Sequence, residues 1–139
     1  MNLASVVIDQ KDLEFFIKYS KANNYTIVET VINKDDTISV IFTYISNEAK
    51  FLCLHSCRIL AINYIIDDNL VELFLAENYI TSTSGLQYLK NLKILKLQDN
   101  KITKIEGLNN NLEKLYLHGN PITDELKNLK ISKSLTIYY

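Results

Sequence analysis

The sequence has no tryptophan, one proline, three glycines, two cysteines and a single arginine, Arg58, in 139 residues. Three glycines are too few for a phosphate-cradling loop, and no Walker, dinucleotide-binding, zinc-cysteine or G-x-S-x-G pattern is present. No apolar run reaches the ~18 residues that a membrane-spanning helix needs. The opening Met1-Asn2-Leu3-Ala4-Ser5-Val6-Val7-Ile8-Asp9 has no basic segment, and its apolar stretch stops at Asp9, so it does not read as a secretory signal. An intracellular, cytoplasmic protein is expected, in which the sequon Asn24-Tyr25-Thr26 carries no glycan. Cys53 and Cys57, on an extended segment, stand about 13 Å apart at ~3.3 Å per residue. That is beyond the roughly 7 Å that a disulfide tolerates, so both are read as thiols.

What the chain does have is apolar content, 47% of its residues, and an uneven distribution of charge. Residues 1–85 hold eleven acids and six bases, a net −5; residues 86–139 hold nine lysines and five acids, a net +4. The mildly basic second half is the one electrostatic hint of an anionic partner. The abundance of Asn, Ile, Lys, Leu and Tyr points to AT-rich codons rather than to a function.

A repeat organises the second half. Leu70-Val-Glu-Leu73-Phe-Leu75-Ala-Glu-Asn78-Tyr-Ile80, Leu92-Lys-Ile-Leu95-Lys-Leu97-Gln-Asp-Asn100-Lys-Ile102 and Leu112-Glu-Lys-Leu115-Tyr-Leu117-His-Gly-Asn120-Pro-Ile122 share one frame, L-x-x-L-x-L-x-x-N-x-I. Leu52-Cys-Leu54-His-Ser-Cys57-Arg-Ile59 fits it with Cys57 in place of the asparagine, and Leu135-Thr-Ile137 fits a last strand. The second leucines, at 52, 73, 95, 115 and 135, are 21, 22, 20 and 20 residues apart. The frame resembles the leucine-rich-repeat family. Leu95 to Leu108 is similar to the short subtype of phosphatase-regulatory and spliceosomal repeat proteins. The resemblance covers about residues 49–139.

This resemblance implies an α/β fold: a right-handed solenoid of about five parallel strands, centred near Cys53, Phe74, Lys96, Tyr116 and Thr136. In such a coil, strand alternation turns both leucines of L-x-L inward. The asparagine amides bond backbone groups that a buried bend leaves unpaired, so Cys57, Asn78, Asn100 and Asn120 form a ladder. Ile80, Ile102, Ile105 and Ile122 fill the core, and Gly85-Leu86 and Gly107-Leu108 mark the return bend. No coil is stable without its neighbours.

The first part carries no repeat. Leu13, Phe16 and Ile17 recur at helical spacing, with Asp9 and Asp12 as N-terminal caps, which predicts a helix over about 10–22 ended by Asn23-Asn24. Tyr25–Ile32 and Thr37–Ile45 are β-branched and aromatic around Asn33-Lys34-Asp35-Asp36, a predicted hairpin. Residues 1–48 are expected to cap the first coil of a solenoid spanning 49–139, in one compact unit. The apolar run Ile59–Ile66 is expected to lie under that N-terminal segment.

No catalytic residue, cofactor or metal is expected. His55 and His118 fall three coils apart, about 14 Å at ~4.8 Å per strand, too far to share an ion bound at about 2 Å. The outward strand positions form three columns: Phe51, Glu72, Ile94, Lys114, Ser134; Cys53, Phe74, Lys96, Tyr116, Thr136; and His55, Ala76, Gln98, His118, Tyr138. Packing does not require apolar groups there, yet several are aromatic, as binding hot spots are. The expected partner-binding residues are Phe74, Lys96, Tyr116, His118, Tyr138 and Tyr139. The expected function is a non-catalytic protein–protein interaction module or scaffold, docking a protein on the strand face or on the open C-terminal edge, with no membrane involved. Two alternatives stand beside it. One is a structural subunit of a large ribonucleoprotein such as a ribosome, with Lys101 and Lys104 touching RNA phosphates; the other is an enzyme or phosphatase regulator, which the resemblance alone implies.

Overall fold

The structure, a computed structural model, describes residues 2–45, 50–121 and 134–139. Strand β1 (Asn2–Ile8) leads through a 3-10 turn, Gln10–Asp12, into helix α1 (Leu13–Ala22). Hairpin β2 (Thr26–Ile32) and β3 (Ile38–Tyr44) follows. Then come β4 (Phe51–Cys53), β5 (Ala61–Ile66), β6 (Glu72–Phe74), β7 (Ile94–Lys96), β8 (Lys114–Tyr116) and β9 (Thr136–Tyr138). They form two sheets. One is antiparallel, in the order β2-β3-β1-β5; the other is parallel, in the order β4-β6-β7-β8-β9.

The parallel sheet is the solenoid. Each strand is three residues long with its middle leucine or isoleucine turned inward: Leu52, Leu73, Leu95 and Leu115 are fully buried and Ile137 partly so. The centres therefore lie one residue before the sequence-based positions in the first four coils and one after in the last. Ile137, not Leu135, pairs with Leu115, so Tyr138 stands beside Tyr116 and Thr136 beside Lys114. Leu75, Leu97 and Leu117, with Ile80 and Ile102, complete the buried stack; Ile105 is half-buried and Ile122 lies outside the described residues.

The ladder holds the bends. Asn78 Oδ1 accepts from the backbone N–H groups of Cys57 (3.0 Å) and Ile59 (2.9 Å), and its Nδ2 donates to the Leu54 and Leu75 carbonyls, both at 2.9 Å. Asn100 repeats the arrangement one coil on, accepting from Ile80 N–H at 3.0 Å and donating to Leu75 and Leu97 carbonyls. Asn120 makes the same kind of bonds to Ile102, Leu97 and Leu117 but is only half-buried, contrary to the expectation of burial. Cys57 is buried, and its thiol donates to the His55 carbonyl at 3.5 Å, a weaker bond than an amide makes.

The N-terminal part holds more than a helix and a hairpin. Strand β1 sits at the centre of the antiparallel sheet, between β3 and β5, and β5 comes from the first coil's return segment. The sheet thus joins residues on both sides of position 48. Asp9 caps the 3-10 turn by accepting from Lys11 N–H at 3.3 Å, whereas Asp12 makes no cap bond and instead pairs with Arg58 at 3.0 Å. Asn24, at φ +61°, ends the helix. Phe16 of α1 packs on Phe42 of β3, ring centroids 5.7 Å apart, and Tyr25 on Phe42 at 5.4 Å. One apolar core runs from this aromatic cluster through Ile59, Ile62 and Ile65 into the leucine stack. Gly85 seats the second coil against β5: it has φ +94°, and any side chain there would run into the Ile62 carbonyl.

The first coil's open edge is covered by two hydroxyls. Tyr19 of α1 donates to the Cys53 carbonyl at 2.8 Å, and Tyr25 donates to the same oxygen at 2.9 Å. An unpaired edge carbonyl on β4 is thereby satisfied from two elements of the N-terminal part.

Candidate functional site

The outward column of the parallel sheet is set by the register: Cys53, Phe74, Lys96, Tyr116 and Tyr138 are lateral neighbours. Strand spacing of ~4.8 Å puts such side chains in contact. Phe51 leans onto Phe74, with centroids 5.4 Å apart. The Lys96 ammonium stands 4.6 Å from the centre of the Phe74 ring and 5.4 Å from that of Tyr116. Tyr116 and Tyr138 stack at 4.5 Å with their planes 10° apart. The result is an unbroken row, Phe51–Phe74–Lys96–Tyr116–Tyr138, across all five strands.

The energetics explain why the row is ordered. A cation held over a ring contributes about 0.5–1 kcal/mol at an exposed site, and an aromatic pair about 0.5–1.5 kcal/mol beyond its area. Lys96 is held between two rings, which fixes its charge in the middle of the row. Phe51, Phe74, Lys96 and Tyr116 are half-buried and Tyr138 is 40% exposed, so each keeps part of its surface open to solvent.

The remaining expected residues are placed differently. His118 is exposed, two residues past Tyr116, on the rim of the row. Tyr139, 48% exposed, lies beyond Tyr138. In the third column Ala76 is buried, and Tyr138 has left that column for the second. Lys101 and Lys104 are exposed but come after the Asn100 rung, off the strand. Lys104 pairs with Glu106 at 3.4 Å and lies in an isolated bridge with Ser82.

Two polar clusters near the first coil escaped sequence reasoning. Glu77 takes His55 Nε2 at 2.7 Å and the Ser56 hydroxyl at 2.8 Å. Arg58 lies 4.2 Å above the Phe15 ring while bonding Asp12. The signal for the first was the coil period, which sets Ser56 and Glu77 in one column; nothing local signals the second. In the His55 cluster both partners converge on the carboxylate, and among the described residues no hydroxyl is paired with the imidazole, the arrangement that activates a nucleophile. Among the described residues, no group of three or more His, Cys, Asp and Glu side chains is placed to hold a metal ion. Both thiols are free, and burial pushes the Cys57 thiol up to about 12, which keeps it protonated and unreactive.

The repeat geometry agrees with family comparison. A model described as Leucine Rich repeats (2 copies) matches residues 68–110, and one described as Leucine Rich Repeat matches residues 111–130. Residues 68–130 are leucine-rich repeats. These matches cover the coils of Asn78, Asn100 and Asn120, the three in which the sequence frame is complete. Leucine-rich repeats are in general protein–protein interaction modules and typically not enzymes. No curated protein and no solved structure matches the chain. Among the described residues, no helix is long and apolar enough to cross a membrane.

Proposed function

We propose that the strand face of the repeats docks a protein partner, without catalysis. The observation that carries this reading is the row Phe51–Phe74–Lys96–Tyr116–Tyr138. It is continuous, it is held in place by its own ring and cation contacts, and the fold does not need it for its core. Rigid aromatic groups lose little entropy on binding, and a central charge ringed by apolar surface gives orientation. His118 and Tyr139 form the rim, and β9, outermost in the parallel sheet, extends the surface to its edge.

The test is affinity purification from native cells with the full chain, at a series of salt concentrations, with mass spectrometry of what is retained. The expected result is a protein held with little dependence on salt and lost on Tyr116→Ala. An RNA partner gives the opposite outcome: retention falling linearly in log–log form with salt, and lost on charge reversal at Lys101 and Lys104. That result would overturn the protein reading.

A further inference from the structure

Strand β2 reads Thr26-Ile27-Val28-Glu29-Thr30-Val31-Ile32, a β-branched run at the outside of the antiparallel sheet. Among the described residues its only strand partner is β3. Val28 is 61% exposed and Ile32 68%. Edge strands are commonly protected by lysine or proline; β2 has neither, and its one irregularity lies between Ile27 and Glu29. The Asn33 N–H donates to the Thr37 carbonyl at 2.8 Å. Alternation from that bond turns the N–H and C=O groups of Ile32 and Thr30 away from β3.

A groove of about 390 Å³ runs beside this edge. Helix α1 forms one wall with Ile17, Ser20 and Lys21, and Tyr25, Ile27 and Thr30 form the other. Its lining is mostly apolar, with Lys21 the one charged group. Ser20 is 1% exposed and its hydroxyl has no hydrogen-bond partner among the described residues. By cross-strand pairing, Ile27, Thr30 and Ile32 share the sheet face that bears Phe42, Val40 and Ile38, the face on which α1 packs. A strand added ~4.8 Å outside β2 would turn every second side chain towards this groove.

We propose that the β2 edge and the α1–β2 groove together take an extended segment of a partner protein as an added fifth strand. Its backbone pairs with Thr30 and Ile32, its alternate apolar side chains enter between Ile17 and Ile27, and a carboxylate on it meets Lys21. Main-chain bonds supply affinity and the groove supplies selection, as in other strand-addition complexes. The surface is separate from the aromatic row on the parallel sheet.

The test uses the full chain and a labelled peptide of the length of β2, seven residues, alternating valine with threonine around a central glutamate. Fluorescence anisotropy should show saturable binding, and amide hydrogen exchange should slow within residues 26–32. Lys21→Glu should weaken binding about tenfold, as reversal of a charge facing a carboxylate does. Thr30→Pro should abolish binding, because an outward edge N–H can be replaced by proline without losing a ladder bond. If Thr30→Pro unfolds the protein, the Lys21→Glu and exchange results decide. No saturation below about 1 mM peptide, or protection outside β2, overturns the proposal. Concentration-dependent protection of β2 in the protein alone also overturns it, since a second copy then takes the edge.

Discussion

A side chain at Gly119 would collide with the carboxylate of Asp99, one coil earlier. Both residues precede a ladder asparagine and both are left-handed, with φ +75° and +57°. The same column holds Ser56 at +54° and Glu77 at +56°. Each coil bends there, and in three of these four coils a residue with a Cβ bears the strain, about 1–2 kcal/mol apiece. Gly119→Ala should therefore destabilise the protein through both conformation and contact. Asp99→Gly should be neutral or stabilising by about 0.5–1 kcal/mol. In the double variant the collision is gone, so urea midpoints should reveal a favourable coupling of about 1 kcal/mol. Strict additivity would show that Asp99 simply moves aside.

Asn100→Leu should cost about 1–3 kcal/mol for each buried group it leaves unpaired. The Ile80 N–H is left so, whereas the Leu75 and Leu97 carbonyls lose one bond each but keep Asn78 and Asn120 as donors. Asn120→Leu, at a half-buried rung, should cost less because water can reach the groups released. Equal losses in chemical denaturation would show that the ladder's worth does not depend on burial.

The repeat was legible because each of its positions has one physical job. An inward leucine, a bonded asparagine and a core isoleucine cannot be exchanged, so three copies define the register of β6, β7 and β8. The last strand was harder. Leu135 and Ile137 alternate with Thr136 and Tyr138, and a slip of two residues keeps every side chain on its face. The pattern therefore fits either pairing, and the stacking of Tyr138 on Tyr116 was hidden. Strand β1 was missed for a different reason. Its residues Ala4, Val6 and Ile8 are buried, but so is Ser5, so the run lacks clean alternation. Its partners β3 and β5 are distant in sequence, and nothing local announces them. The excess of apolar residues in Ile59–Ile66 was the visible trace of that pairing. The aromatic row was legible as a list of outward residues, and its continuity became visible only through the register and the ring distances.

Alkali should destabilise the first coil. Burial pushes the Tyr25 hydroxyl up from 10.0 to about 12 and raises that of Tyr19 well above its ordinary value. Burial likewise holds the Cys57 thiol up at about 12, from 9.0. Above about pH 9 the unfolded chain thus loses protons that the folded one keeps, so stability, complete below that pH, falls as pH rises. Urea midpoints should decline between pH 9 and 12, the window these values define. Tyr25→Phe should make the decline shallower by removing one titrating group. A flat profile across that window would contradict burial of these groups.

The N-terminal part should be indispensable to the repeats. We propose that residues 1–48 act as the cap of the first coil, and the contacts supporting this can be counted against a fragment that starts at residue 49. Such a fragment loses both tyrosine hydroxyls on the Cys53 carbonyl and the Val7 carbonyl that accepts from Leu60 N–H at 2.8 Å. Strand β5 loses β1, its partner in the antiparallel sheet. Arg58 loses Asp12 and the Phe15 ring. Ile62 and Ile65 are exposed, at about 1.5–3 kcal/mol each when fully buried. Total stabilities of domains are only about 5–15 kcal/mol, so these losses together are enough to prevent folding. The fragment should show no cooperative thermal transition and should aggregate at concentrations where the full chain remains dispersed. Circular dichroism and sedimentation decide it: a cooperatively folded, monomeric fragment 49–139 would mean that the leucine stack sustains itself and that the N-terminal part serves something other than capping.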